Sequence, residues 1–356
     1  MSAAPAQQAP QREALVNIQY FRAIAAMMVV WVHGREQFEW IKLQFPSAAG
    51  SHGVDLFFVI SGFIMVYTTY GKPLSPGSFL VRRLARIAPL YWLGTLAIVA
   101  IAFLAPAVLQ RTIISVPHVL ASLAFIPMLS PSFPGQMWPL LVPGWTLNYE
   151  MAFYGVFALT LLAPQRIRIY LLCVSLALSV ASSALFNFNG ILDFYTNAIV
   201  LTFAAGSILG SLYCAGRLRQ SKPMGLALMV VGVAFWLVAL SLEMGPRVIA
   251  TGLPACLVVL GACIMPSFGL NWLAWLHRLG DASYSIYLGH LFLLGMLRVV
   301  WKRLHLPMNT AIAGWVFMLC GLLVCAFGGW LIYRLVEKTL NAWIKGSSIY
   351  SRLLIR

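Results

Sequence analysis

Long apolar runs separated by short polar connections dominate this chain. The clearest are Leu84–Ala105, Gly225–Leu242, Val248–Met265 and Ala311–Val336. Each is apolar around its whole circumference, the pattern of a helix surrounded by lipid. Each also approaches or exceeds the ~18–20 residues needed to cross hydrocarbon. The same reading extends to Asn17–His33, Val54–Tyr70, Trp145–Leu162, Ile167–Leu185, Tyr195–Cys214 and Ala282–Val300. His118–Leu129 is apolar but too short to cross straight. It lies in the Pro-rich stretch Ala107–Gly144 and is expected to be re-entrant or interfacial. The expected fold class is an all-α polytopic membrane protein, a bundle of about ten transmembrane helices.

Composition supports this. Of 356 residues, 61% are hydrophobic and 9% charged, against about 25% charged in a soluble domain; a water-facing globule is excluded. The net charge of +15 has two readings, phosphate binding or cytoplasmic enrichment of Lys and Arg in a membrane protein. With the N-terminus inside, Lys72, Arg82, Arg83, Arg86, Arg166, Arg168, Arg217, Arg219, Lys222 and Arg278 fall in cytoplasmic connections. The opposite side receives fewer, so N- and C-termini are expected to be cytoplasmic and nucleic acid is not an expected partner. Arg298, Lys302 and Arg303 fall on the outer side, against the trend. All six cysteines lie in apolar runs without a CxxC pair, which fits packing and gives no metal site. Gly206-Ser-Ile-Leu-Gly210 is expected to allow close helix approach. No cleavable signal pattern precedes the first span, which is expected to remain as an anchor. Residues 1–13 are read as a disordered tail and 341–356 as a cytoplasmic basic tail.

Ionisable side chains at membrane depth are costly and mark candidate sites. Arg22 and His33 share a face of the first span, since eleven steps of ~100° return to nearly the same stripe about 16 Å along the axis. Asp55 opens the second span and is expected near the depth of His33, where a carboxylate would fix the imidazole tautomer. Glu150, one turn into the fourth span, is expected at the same level. Arg82, Arg83 and Arg86 form a basic cluster suited to donor phosphates or to anionic lipid. Asp281 is expected to cap the ninth span, with His290 about three turns further on. These residues also admit a different class of protein, a proton-coupled secondary transporter with His33, Asp55 and Glu150 as a relay.

Five motifs in order resemble the acyltransferase 3 family of membrane-bound acyltransferases, from Asn17 to about Lys338. They are Arg22-x10-His33, Gly53-Val-Asp55-Leu-Phe-Phe58, the Arg82/Arg83/Arg86 set with Pro89 and Tyr91, Trp145-Thr-Leu-x-x-Glu150, and Gly280-x-x-Ser283-Tyr284-Ser285-x-Tyr287-Leu-x-His290. The compact length is most similar to the exopolysaccharide-production branch of that family. The resemblance implies a transmembrane acyltransferase domain over residues 14–340 in the bacterial cell inner membrane. It implies transfer of an acyl group, usually acetyl, from acetyl-CoA as donor substrate to a hydroxyl of a glycan or lipid-linked oligosaccharide, without a bound cofactor. His33 matches the family's essential first-helix histidine and Arg22 its partner arginine, Arg82/Arg83/Arg86 the donor-binding motif, and Glu150 the acidic residue of its motif. His33, Asp55 and Glu150 are thus the expected catalytic residues, with His33 as general base or as an acyl relay. Arg22, Arg82, Arg83 and Arg86 are the expected donor-binding residues. Ser61, Trp145, Tyr284 and His290 are expected to line a cavity. The first helix departs from the family pattern: Asn17-Ile-Gln19-Tyr-Phe-Arg22 lacks the usual acidic residue before the arginine.

Overall fold

The computed structural model describes residues 8–44, 52–106, 109, 112–242, 245–267, 273–348, 350 and 353, which form helices and connections and no strand. In chain order the first helices are α1 (Gln8–Arg35), α2 (Glu39–Gln44), α3 (His52–Thr69), α4 (Pro76–Leu104) and α5 (Val116–Leu123). Next come α6 (Trp145–Thr160), α7 (Gln165–Leu185), α8 (Ile191–Tyr195), α9 (Val200–Cys214) and α10 (Lys222–Ser241). A π-helical turn at Val248–Gly252 enters α11 (Leu253–Ile264), and α12 (Ala274–Asp281), α13 (Ser283–Arg303) and α14 (Ala311–Ile332) follow. A second π-helical turn, Tyr333–Glu337, leads into α15 (Lys338–Gly346).

All ten expected spans fall on helices, and among the described residues seven are long and apolar enough to cross a bilayer. Two of the other three are shorter. α6 has only 16 residues, and Val248–Ile264 is a shorter apolar helix. Residues 1–7 of the expected tail lie outside the described residues, and α1 begins within the 1–13 stretch. Helix starts follow local chemistry. Ser75, Ser221 and Thr310 each accept a backbone N–H three residues ahead, from Ser78, Met224 and Ala313, and so satisfy an otherwise orphaned donor.

The chain divides into two compact units, residues 1–70 with 202–333, and residues 71–201 with 334–356. In the first, α1 packs against α3, α11, α12, α13 and α14. The Asn17 side-chain amide donates to the carbonyls of Ala262 (3.1 Å) and Met265 (2.9 Å) at the end of α11, so a buried polar group has two partners. α13 runs parallel to α1. Asp281, just before α13, meets Gln19 midway along α1, and Arg298 near the end of α13 donates to Gln37 just beyond α1 at 3.2 Å. The end of α13 therefore lies at the His33 end of α1. α3 and α9 cross closely because Gly62 and Gly206 lack side chains: a Cβ on either would strike backbone of the other helix, at Phe203 and Val59. Ser207 adds a hydrogen bond to the Gly62 carbonyl at 3.3 Å. The expected role of the Gly206–Gly210 spacing is realised there.

In the second unit α4 packs against α5, α6 and α15, and α6 against α7. The Pro-rich segment after α4 is stitched by side chains. A ring nitrogen of His118 bonds the Trp138 carbonyl at 2.9 Å, and the Ser122 hydroxyl accepts the Leu140 N–H at 2.9 Å. Within His118–Leu129 the helix is α5, which ends at Leu123.

Candidate active site

α1 projects His33 from its last turn, half-buried. The carboxylate paired with it among the described residues belongs to Glu36, one turn on, with Nδ1 to Oε2 at 3.5 Å. The imidazole holds the Glu36 carboxyl below its ordinary value, chiefly through that hydrogen bond and against the opposing effect of burial. A carboxylate at Nδ1 favours the tautomer with the proton on Nδ1, which leaves Nε2 as the basic nitrogen. The second neighbour of His33 is His290 on α13, ring centroids 4.9 Å apart and planes inclined at 34°. His290 is fully buried, and its Nδ1 lies 2.6 Å from the Tyr287 carbonyl oxygen. A carbonyl only accepts, so that nitrogen carries the proton, and His290 Nε2 is an acceptor with no hydrogen-bond partner among the described residues. Two imidazoles thus stand together, each with Nδ1 committed, and Nε2 of His290 is bare.

Asp55 is placed differently from the sequence expectation. Gly53 packs on Ala25, Met28 and Val29, so α3 enters four to eight residues before His33, about 6–12 Å along the α1 axis. The Asp55 carboxylate, fully buried, accepts from Arg247: Nη2 to Oδ2 at 3.0 Å and Nε to Oδ1 at 3.4 Å. That pairing stabilises the charge where burial alone would oppose it. His52, at the start of α3, stacks on Trp236 with centroids 5.4 Å apart. Ser61, further along α3, is half-buried.

Midway along α1, the Arg22 guanidinium donates to the Gln19 side-chain oxygen at 2.7 Å, and Gln19 donates through its amide to Asp281 at 2.9 Å. The acidic partner missing from the first helix is therefore supplied by α12 through a glutamine bridge. This also corrects the expectation for Asp281: it ends α12, Ala282 occupies the N-cap of α13 without a side-chain cap, and the Asp281 carboxylate serves Gln19 and His277 (3.7 Å). Tyr284 sits half-buried on α13.

The second unit holds Arg82, Arg83, Arg86, Trp145 and Glu150. Glu150 accepts a short hydrogen bond from the Tyr154 hydroxyl, and both act electrostatically on Arg83. Arg83 is half-buried, its guanidinium carbon 5.4 Å from the Phe79 ring centroid, while Arg82 and Arg86 are exposed. Trp145 begins α6 and meets Tyr149 edge-on at 6.0 Å. Among the described residues no group of three or more His, Cys, Asp or Glu is arranged to hold a metal ion.

The sequence profile of the acyltransferase 3 family, described as an acyltransferase domain, matches residues 15–334. The chain belongs to the acyltransferase 3 family. It is a multi-pass membrane acyltransferase, and its residues His33, Asp55 and Glu150 all lie within the matched region. The acyltransferase is 36% identical to the exopolysaccharide production protein ExoZ of Rhizobium meliloti, over 82% of this chain and 89% of that one. It is also 36% identical to protein 2 in the picA locus of Rhizobium radiobacter, over 26% of this chain and 47% of that one. No solved structure matches it.

Three polar residues of the acyltransferase escaped the sequence reading. Glu36 was legible, because a carboxylate three residues after a histidine faces it on a helix. His52 stands three residues before Asp55. Arg247 carried no local signal, since its partner lies 192 positions away.

Proposed function

We propose that this acyltransferase moves an acyl group, acetyl in the first instance, from cytoplasmic acyl-CoA to a hydroxyl of an exported or cell-surface polysaccharide. Family membership supports acyl transfer, and the exopolysaccharide production named for the Rhizobium meliloti relative supports a glycan acceptor. The observation that carries the reading is His33 with Glu36 on Nδ1, because an imidazole positioned by a carboxylate is what a general base requires.

In this scheme Nε2 of His33 takes the proton of the glycan hydroxyl as its oxygen attacks the thioester carbonyl carbon. The C–O bond forms, the C–S bond breaks, and the departing CoA thiolate takes the proton from the imidazolium. Glu36 stabilises the imidazolium. His290 offers a bare nitrogen beside it. Arg82, Arg83 and Arg86 of the second unit hold the CoA phosphates through guanidinium hydrogen bonds, and Arg22 of the first unit is read as a donor-binding residue by itself. Glu150 acts there by orienting Arg83, and Asp55 acts by fixing Arg247 at the head of α3. Ser61 and Tyr284 are read as cavity-lining residues of the first unit, and Trp145 as one of the second. Ten spans in the bacterial inner membrane with cytoplasmic termini complete the reading, which the Lys and Arg distribution supports. A proton-coupled transporter is left without a favouring observation.

The test is transfer from labelled acetyl-CoA by purified protein, with the glycan analysed by mass spectrometry. His33→Ala is expected to lose about 10²–10⁴-fold in rate, the usual contribution of a general base, with the protein still inserted and folded. Normal glycan acetylation by His33→Ala would overturn the reading.

A further inference from the structure

Arg298, Lys302 and Arg303, the residues that run against the Lys and Arg trend, stand at the end of α13, and the acyl-transfer scheme leaves them without a role. All three are exposed, and none is ion-paired among the described residues. No Asp or Glu occurs between Asp281 and Glu337, so α13 and α14 hold no carboxylate that neutralises them. This end of the helix is firmly held. Trp301 is buried against Phe38, between α1 and α2, and Phe317 of α14, with ring centroids 6.4 and 5.4 Å away. Its indole N–H donates to the Pro307 carbonyl at 3.0 Å.

The candidate catalytic histidines lie beside it. Arg298 donates to the Gln37 side-chain oxygen at 3.2 Å, and Gln37 stands four residues after His33. α13 carries His290, whose ring meets His33, then Arg298 about 12 Å and Lys302 about 18 Å further along its axis. Arg298 and Lys302 are one turn apart and share a face. α2, whose Ile41 packs on Gly314 of α14, adds the exposed Lys42. The acidic residues of the α1–α2 segment are Glu36, which pairs with His33, and Glu39. The histidine pair therefore adjoins a surface in which cations outnumber carboxylates.

We propose that this basic end of α13 docks an acidic polysaccharide, so that the acceptor is a glycan bearing carboxylates and Arg298, Lys302 and Arg303 select it. The proposal rests on the acyl-transfer reading of His33, because nearness to that imidazole is what makes a glycan docked here an acceptor. A guanidinium forks onto a carboxylate through two parallel hydrogen bonds, and an ammonium adds a point charge. A polymer with a carboxylate in each repeat meets cations spaced along one helix at several points, and each contact after the first forms within one complex. The same field speeds the encounter with an anionic chain. A neutral glycan gains neither advantage.

The experiment measures binding of hexagalacturonate and of its neutral methyl ester to the full-length protein in phosphatidylcholine nanodiscs. The acid is expected to bind at least about tenfold tighter than the ester, or ~1.4 kcal/mol, and to lose that advantage as salt is raised. Arg298→Gln combined with Lys302→Gln and Arg303→Gln should bind acid and ester alike. Thermal melting identifies a variant that fails to fold, and Lys302→Gln with Arg303→Gln, which leaves the Gln37 contact in place, then decides. Equal binding of acid and ester by the wild type overturns the proposal, as does an unchanged preference in the folded variant. If the variant then loses selective retention of phosphatidylglycerol, the surface belongs to lipid headgroups. Binding is read without acyl donor, so a failure of acetyl transfer at His33 is registered separately from a failure of docking.

Discussion

Asp55 and Arg247 meet through two hydrogen bonds across 192 positions of sequence, and the carboxylate they share is fully buried. Arg247→Met removes the donor and leaves that charge unpaired. Loss of about 1–3 kcal/mol is expected, read as a lower melting temperature of the detergent-solubilised protein. Asp55→Asn combined with Arg247→Met should melt above Arg247→Met alone, because the stranded charge is gone. Identical melting of the single and double variants would show that the pair contributes nothing.

Glu36 gives a pH dependence with a definite sign. Its carboxyl is held below the ordinary value in the folded protein, first by the hydrogen bond to His33. The stabilisation is present above the unfolded value and is lost as pH falls through the lowered folded value. Acid melting curves of Glu36→Gln should lack that component, and its kcat should fall by less than the ~10²–10⁴-fold expected for His33→Ala. Superimposable acid melting curves would remove Glu36 from the account.

The α3–α9 crossing is sensitive to single atoms. Gly206→Ala places a methyl group against the Val59 carbonyl and should cost about 1–3 kcal/mol as overpacking. Gly155→Ala in α6 meets nothing within 4 Å and should be neutral or gain up to about 1 kcal/mol. Parallel melting measurements check the contrast.

The arginines of α4 should separate binding from chemistry. Arg82→Ala with Arg86→Ala removes two exposed guanidinium groups; at ~1.5–3 kcal/mol for each charged hydrogen bond lost, the KM for acetyl-CoA should rise tenfold or more. The kcat at saturating donor should change far less. A fall in kcat at unchanged KM would assign the pair another role.

The helices were legible because apolar runs of spanning length have few alternative structures in lipid. Motif residues such as His33 and His290 were legible as types, and the structure brings those two rings together. What the sequence hid was pairing. Depth along a span is set by where helices cross, and Gly53 against Ala25 and Met28 sets α3 too far from the end of α1 to align Asp55 with His33. The glutamine bridge from Arg22 to Asp281 was hidden for a similar reason, since it needs α12 to arrive beside α1.

The long-range partners of α1 and α3 also impose an order in time. Asn17 waits for carbonyls 245 and 248 residues downstream, and Asp55 waits for Arg247. Residues 71–201 leave the ribosome in between and contain most of the second unit. During synthesis the first two helices therefore sit in the translocation machinery or the bilayer with a carboxylate and an amide unmatched. A nascent chain stalled before α11 should be a degradation substrate, with its first two membrane helices inserted but unable to complete their unit.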